Sequence, residues 1–151
     1  MPDLLVNLLK LPPSEPAEGF IVRRAQSFEL SAVRAFVETN FSAAWADEIS
    51  VGFARQPISV YVATIQRELV GFSAYECTRR GFFGPTGVIQ SAQGNGIGKA
   101  LLLAALWGLR EMGYVYAIIG AAGPVRFYQK NVGAIIIPGS EPGIYTDMLK
   151  K

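Results

Sequence analysis

Residues 88–102 read Val88-Ile89-Gln90-Ser91-Ala92-Gln93-Gly94-Asn95-Gly96-Ile97-Gly98-Lys99-Ala100-Leu101-Leu102. This is the end of an apolar strand, a loop with glycine at three alternate positions, and the start of an apolar helix. Helix N-termini leave backbone N–H groups unpaired and carry about half an elementary positive charge. Glycines let the backbone approach a phosphate closely, so that several N–H groups converge on it. Lys99 stands where it adds charge at the helix start. The stretch is an anion-binding device, and the anion it suits decides the fold. A phosphate loop of the form G-x-x-x-x-G-K-[ST] needs glycine at 93 and Ser or Thr at 100, where Gln93 and Ala100 stand. A dinucleotide fingerprint, G-x-G-x-x-G, ends on Lys99 or Leu101 depending on the starting glycine. Both spacings fail.

Outward from the loop, the helix runs from about Lys99 to Met112 and closes at Gly113. A nearly continuous apolar strand, 114–119, reads as buried in a sheet. A short helix over 125–131 follows, with Pro124 suited to its first turn. Strands at 134–137 and 144–149 flank the loop Gly139-Ser140-Glu141-Pro142-Gly143. Towards the N-terminus, 84–89 is an irregular strand and 59–65 with 69–77 a hairpin turning at 66–68. Helices occupy 27–39, with Ser27 as N-cap, and a stretch from Ser42 towards Arg55. The first domain strand is 20–24. Residues 1–19 form a Pro-containing leader or linker whose apolar part is an added edge strand or a short helix. Residues 20–151 are then one α+β (mixed α/β) domain: a mostly antiparallel sheet of about seven strands, with helices on both faces.

Composition narrows the chemistry. Half of the 151 residues are apolar or aromatic and 17% are charged, so the chain is globular rather than disordered. The formal charge of +2 lacks the concentrated basic face that nucleic acid demands. With no histidine and one cysteine, Cys77, the chain has no Ser-His or Cys-His pair, no thiolate cluster and no intrachain disulfide. No metal is expected. Leu4-Leu5-Val6-Asn7-Leu8-Leu9 is too short for a membrane span and lacks a signal peptide's basic start, so a soluble, cytoplasmic protein is the expectation.

Two segments together resemble the GNAT superfamily of N-acetyltransferases. Gln93, Gly96 and Gly98 match its [QR]-x-x-G-x-[GA] motif between strand and helix. Phe127-Tyr128-Gln129-Lys130-Asn131-Val132-Gly133-Ala134 is similar to its second motif, an aromatic-Tyr pair before a glycine. The resemblance implies acetyl-CoA as co-substrate and a single GNAT-like domain. By analogy, the N–H groups of Gln93, Gly94, Asn95, Gly96, Ile97, Gly98 and Lys99 would hold the pyrophosphate. The main chain of Val88, Ile89 and Gln90 would align the pantetheine arm. Tyr128 would protonate the departing thiolate. Two positions depart from the family pattern: Ala121 stands where Asn is common, and Gln90 where Pro is usual.

A lysine-like amine is neutral to roughly one part in 2,500 at pH 7, so attack on a thioester needs a proton acceptor or a water relay. Glu76 ranks first, because the resemblance puts the acceptor cleft along that part of the sheet; Asp47, Glu48 and Tyr145 are the other candidates. Gly81-Phe82-Phe83-Gly84-Pro85-Thr86-Gly87 breaks a regular strand beside the cofactor arm and makes Phe82 or Phe83 a candidate acceptor wall. Cys77 reads as a small buried apolar residue. The expected reaction is acetyl transfer to a primary amine of a small molecule or peptide, by direct attack in a ternary complex. The rival reading is a non-catalytic acyl-CoA sensor. A homodimer stays open.

Overall fold

The computed structural model describes residues 1–15 and 17–150. Pro16, inside the expected linker, and Lys151, the last residue of the expected domain, lie outside the described residues. The strands are β1 (Leu4–Asn7), β2 (Ile21–Arg24), β3 (Val60–Ile65), β4 (Glu68–Tyr75), β5 (Phe82–Val88), β6 (Tyr116–Ile119) and β7 (Ile135–Ile136). The helices are α1 (Leu30–Asn40), α2 (Ala43–Phe53), α3 (Ile97–Glu111) and α4 (Val125–Val132). The strands form one open sheet in the order β2-β3-β4-β5-β6-β1-β7, with β5 and β6 parallel and the other neighbours antiparallel. The α+β fold is as the sequence indicates.

Alternation along β3 and β4 builds two cores. Val60, Val62, Phe72 and Ala74 pack against Val33, Val37 and Ile49 of α1 and α2. Tyr75 points to the other face and joins Leu102, Leu106 and Leu109 of α3, with Tyr128 and Val132 of α4. Strand β4 is covered on both faces, which is why it is apolar between Leu69 and Tyr75 except for Ser73, whose hydroxyl donates to the Leu101 carbonyl. Gly108 lets α3 lie close to the sheet, since a Cβ there would meet the Tyr75 ring at 2.5 Å.

Three expectations change. The leader does contribute a strand, but β1 lies inside the sheet, with Leu4 opposite Ile119 on β6 and Ile136 on β7. Leu4, Val6 and Leu8 are fully buried in the α3 core. Residues 144–149 form no strand; a 3-10 turn spans Gly143–Tyr145, so β1 supplies the seventh strand. Ser27 does not cap the first helix. A 3-10 turn over Ser27–Glu29 precedes α1, and the Glu29 carboxylate takes the Gln26 N–H while pairing with Arg23 at 2.7 Å. That charge-assisted pair outcompetes a serine cap and holds Glu29 ionised below its ordinary range.

Candidate active site

The parallel pair β5–β6 is hydrogen-bonded only around Phe82–Ile118 and Phe83–Ile119. Beyond Phe83, β5 continues to Val88 while β6 ends at Ile119, and the two splay apart. A bulge accentuates the divergence: Ser73 faces Thr86 but Tyr75 faces Phe83, so Gly84 and Pro85 together oppose one residue of β4. The edge of β5 turned towards β6 is therefore free along the resulting cleft. The cleft holds about 790 Å³, with Val88, the glycine loop and Tyr128 among its lining residues.

At one end sits the loop. Gly94 and Gly96 have φ of 86° and 81°, with nothing within 4 Å of an added Cβ, so backbone conformation rather than space demands glycine there. Gly98 has ordinary φ and joins the cleft wall. The first backbone bond of the helix runs from the Ala100 N–H to the Gly96 carbonyl. Among the described residues, the N–H groups of Gly94, Asn95, Gly96, Ile97, Gly98 and Lys99 have no acceptor. They stand at the positive end of a 15-residue helix, and Lys99 lines the same wall. The Gln93 side chain donates to the Val88 carbonyl at 3.1 Å and ties the loop to β5.

Of the residues read as contacting the cofactor, Val88, Gln93, Gly94, Gly96, Gly98 and Lys99 meet on the cleft. Ile89 and Gln90 do not. The Ile89 N–H is bonded to Val70, and both carbonyls are taken by the 3-10 turn that follows. Asn95 and Ile97 lie outside the cleft lining, Asn95 with its side chain on the Ala92 carbonyl and Ile97 buried in the core.

Tyr128, on α4, lies edge-on to Phe83 and Phe127. It is 5% exposed, and burial pushes its phenol up to about 12. None of the described hydrogen bonds uses its hydroxyl, which opens into the cleft. Glu76 belongs elsewhere. It is buried with φ of +60°, its carboxylate accepting from the Gly81 N–H at 2.5 Å and the Tyr114 hydroxyl at 2.8 Å. One oxygen thus closes the 76–81 turn and the other ties it to Tyr114, and Glu76 lines neither part of the cleft. The catalytic assignment to Glu76 is corrected on that geometry.

Beyond Phe83 the cleft opens into a second pocket of about 560 Å³. Glu48 of α2 and Tyr145 lie on its wall, with the Thr78 hydroxyl donating to the Glu48 carboxylate. Asp47, the neighbouring candidate, is exposed and pairs with Arg34 instead. Burial raises the Tyr145 phenol, and the charges of Glu48 and Asp3 add to the effect. Phe82 and Phe83 both line this pocket, as their place in the sequence suggested. Glu141 and Pro142 join it from a loop that reads in the sequence as a mere connector; its cluster of Gly, Ser and Pro marks a turn but not where the turn folds back.

A parallel pair that splays beside a bulge in the β4–β5 pairing, with a bare helix N-terminus at one end of the opening, defines a class of open-sheet α+β domain. The particular fold is that of the GCN5-related N-acetyltransferases. A glucosamine N-acetyltransferase region of a fungal multi-domain β-N-acetylglucosaminidase aligns with TM-score 0.70 and 18% identity, over 90% of this chain and 19% of that one. A GCN5-related N-acetyltransferase from Sphaerobacter thermophilus aligns with TM-score 0.69 and 20% identity, over 90% and 48%. A GNAT-family N-acetyltransferase from Escherichia coli in complex with CoA gives TM-score 0.50 and 21% identity, over 68% and 63%. The chain therefore spans between about a fifth and just under two thirds of these proteins' lengths. No protein-family model matches the sequence, and no curated protein matches it. Among the described residues no helix is long and apolar enough to cross a membrane.

Proposed function

We propose that the protein transfers the acetyl group of acetyl-CoA to a primary amine by direct attack in a ternary complex. The observation that carries this reading is one continuous cleft with different chemistry at its ends. The free N–H groups of Gly94, Gly96, Gly98 and Lys99 suit a pyrophosphate, the bare edge of β5 suits an extended amide arm, and a carboxylate-bearing pocket lies past the splay. The residues present fit the co-substrate, and the fold neighbour bound to CoA supports the same use of the cleft.

In the reaction the amine nitrogen forms a bond to the thioester carbonyl carbon, the C–S bond breaks, and the sulfur leaves as thiolate. An amine bound as its ammonium sheds one proton to Glu48, directly or through water, before it attacks, and a second to solvent as the amide forms. Tyr128 acts on the leaving group. With its phenol near 12 and a thiol near about 8.5, full proton transfer to sulfur is uphill, so Tyr128 serves as a hydrogen-bond donor to the developing thiolate. The thiolate then takes its proton from solvent.

Thermal-shift titration with acetyl-CoA, CoA, ATP and NAD, followed by thiol release with an amine panel, tests the reading. At a hundred times its dissociation constant a ligand stabilises by about 2.7 kcal/mol, which for this chain length raises Tm by roughly 5–10 °C. Shifts with the two CoA species alone, and thiol release with an amine, are expected. Absence of a shift with CoA at saturation overturns the cleft assignment; binding without turnover for any amine replaces the enzyme with an acyl-CoA sensor.

A further inference from the structure

The second pocket has a composition that selects among amines, and the inference drawn from it rests on the transferase reading. Its walls are apolar and largely flat: Trp45, Phe82, Phe83, Pro85, Pro142 and Tyr145. Two of the rings are fixed from behind. Trp45 stacks on Phe41 and meets Phe72 edge-on, and Phe83 is braced by Tyr128. A rigid aromatic wall loses little entropy on binding. The lining residues include no lysine or arginine, while two carboxylates, Glu48 and Glu141, stand among them. Glu141 is paired with the terminal ammonium of Met1. Among the described residues Glu48 has no cationic partner; its neighbour is the neutral Thr78 hydroxyl.

Each feature excludes something. An acceptor carrying its own carboxylate or phosphate finds only the Met1 ammonium, already paired with Glu141, and meets Glu48 at close range. A polyhydroxylated acceptor would leave its hydroxyls against aromatic and prolyl surface, at a cost of about 1–3 kcal/mol for each one stripped of water without a partner. A cationic amine on an aromatic or alicyclic body satisfies both walls at once: the body covers the rings, and the ammonium faces Glu48 with an aromatic surround. A pocket of about 560 Å³ has room for one such body.

We infer that the acceptor is a primary amine with an apolar, ring-bearing body and no acidic group, held by Glu48 and the aromatic wall around Trp45 and Phe83.

The test reads binding before turnover. Calorimetric titration of the protein saturated with CoA uses 2-phenylethylamine, L-phenylalanine (the same body with a carboxylate) and glucosamine (a polar body). The expected result is that 2-phenylethylamine binds at least about tenfold more tightly than either of the others, and that Glu48→Gln weakens its binding and removes its advantage over L-phenylalanine while the CoA thermal shift persists. Equal or better binding of L-phenylalanine or glucosamine overturns the inference, as does an unchanged affinity for 2-phenylethylamine in Glu48→Gln. The two readings fail separately: thiol release with glucosamine but not with 2-phenylethylamine removes the acceptor class and keeps the transferase. Selective 2-phenylethylamine binding with no turnover of any amine keeps the pocket's preference and removes the transferase.

Discussion

Tyr128 shows how burial sets the role of one side chain. The aromatic edges around it and the apolar core beneath leave only its hydroxyl towards the cleft, and the same burial lifts the phenol to about 12. A raised phenol pKa keeps the donor form present at every pH below that value. Tyr128 therefore imposes no fall in rate up to about pH 10.5; over that range turnover should climb as the amine loses its proton. Tyr128→Phe removes the donor and nothing else of its packing, so kcat should drop by about a hundredfold with the CoA dissociation constant unchanged. A kcat–pH profile of both proteins decides the matter, and an unchanged kcat in the variant would leave Tyr128 as a packing residue. Its opposite is Glu76, a carboxylate whose sequence position suggested a base but whose two oxygens are committed to the Gly81 N–H and the Tyr114 hydroxyl. No sequence pattern announces a glutamate in left-handed conformation. The turn residues from Cys77 to Gly81 were the available hint.

At the scale of elements, the loop and α3 are the part of the site most legible beforehand, because glycine at alternate positions before an apolar helix leaves few alternatives. The structure divides those glycines by cause. Gly96 caps α3 with φ of +81°, a region that costs an L side chain about 1–2 kcal/mol, whereas Gly98 sits in the first helical turn with ordinary φ. The two alanine substitutions should accordingly have opposite signs. Gly96→Ala should lower Tm of the free protein by roughly 3–6 °C. Gly98→Ala should hold or raise it, since its Cβ would meet Phe127 and Val88 at the comfortable distances of 3.8 and 3.9 Å and alanine favours helix. Differential scanning calorimetry of the pair measures this, and equal losses would contradict the loop geometry. Boundaries elsewhere were less legible for physical reasons. The β3–β4 hairpin is an exception, turning on Gln66 and Arg67 within the 66–68 turn that the sequence indicates, both at positive φ without a glycine to mark them. Segment 144–149 has strand-like apolar residues, but its chain folds back so that Tyr145 reaches the second pocket.

For the whole molecule the decisive element is β1, four residues that take the sixth of the seven places in the sheet and join its last strand to the rest. Without them β6 and β7 have no common neighbour, since each pairs with β1 and not with the other. Asp3, just before the strand, accepts from the Ala121 N–H at 2.9 Å, and its own N–H donates to the Ser140 hydroxyl at 2.8 Å. The same stretch thus fixes the floor of the cleft and the loop that carries Glu141 and Pro142. Sequence patterning hid this because a short apolar run followed by two prolines has the signature of an appendage. The two views make different energetic predictions. An appended strand tolerates truncation of one side chain at little cost, whereas Leu4 is fully buried among Leu102, Leu106 and Ile119 in the α3 core. Leu4→Ala should destabilise by about 2–5 kcal/mol, as much as Leu106→Ala in the middle of α3, against a total of about 5–15 kcal/mol for a domain. Urea unfolding read by near-UV circular dichroism gives both values. Because the cleft floor hangs from β1, a loss at Leu4 in a single transition with the α3 core would mean that the second pocket is built by β1 as much as by the glycine loop. A loss below about 0.5 kcal/mol would return the leader to an ornament on a domain that stands without it.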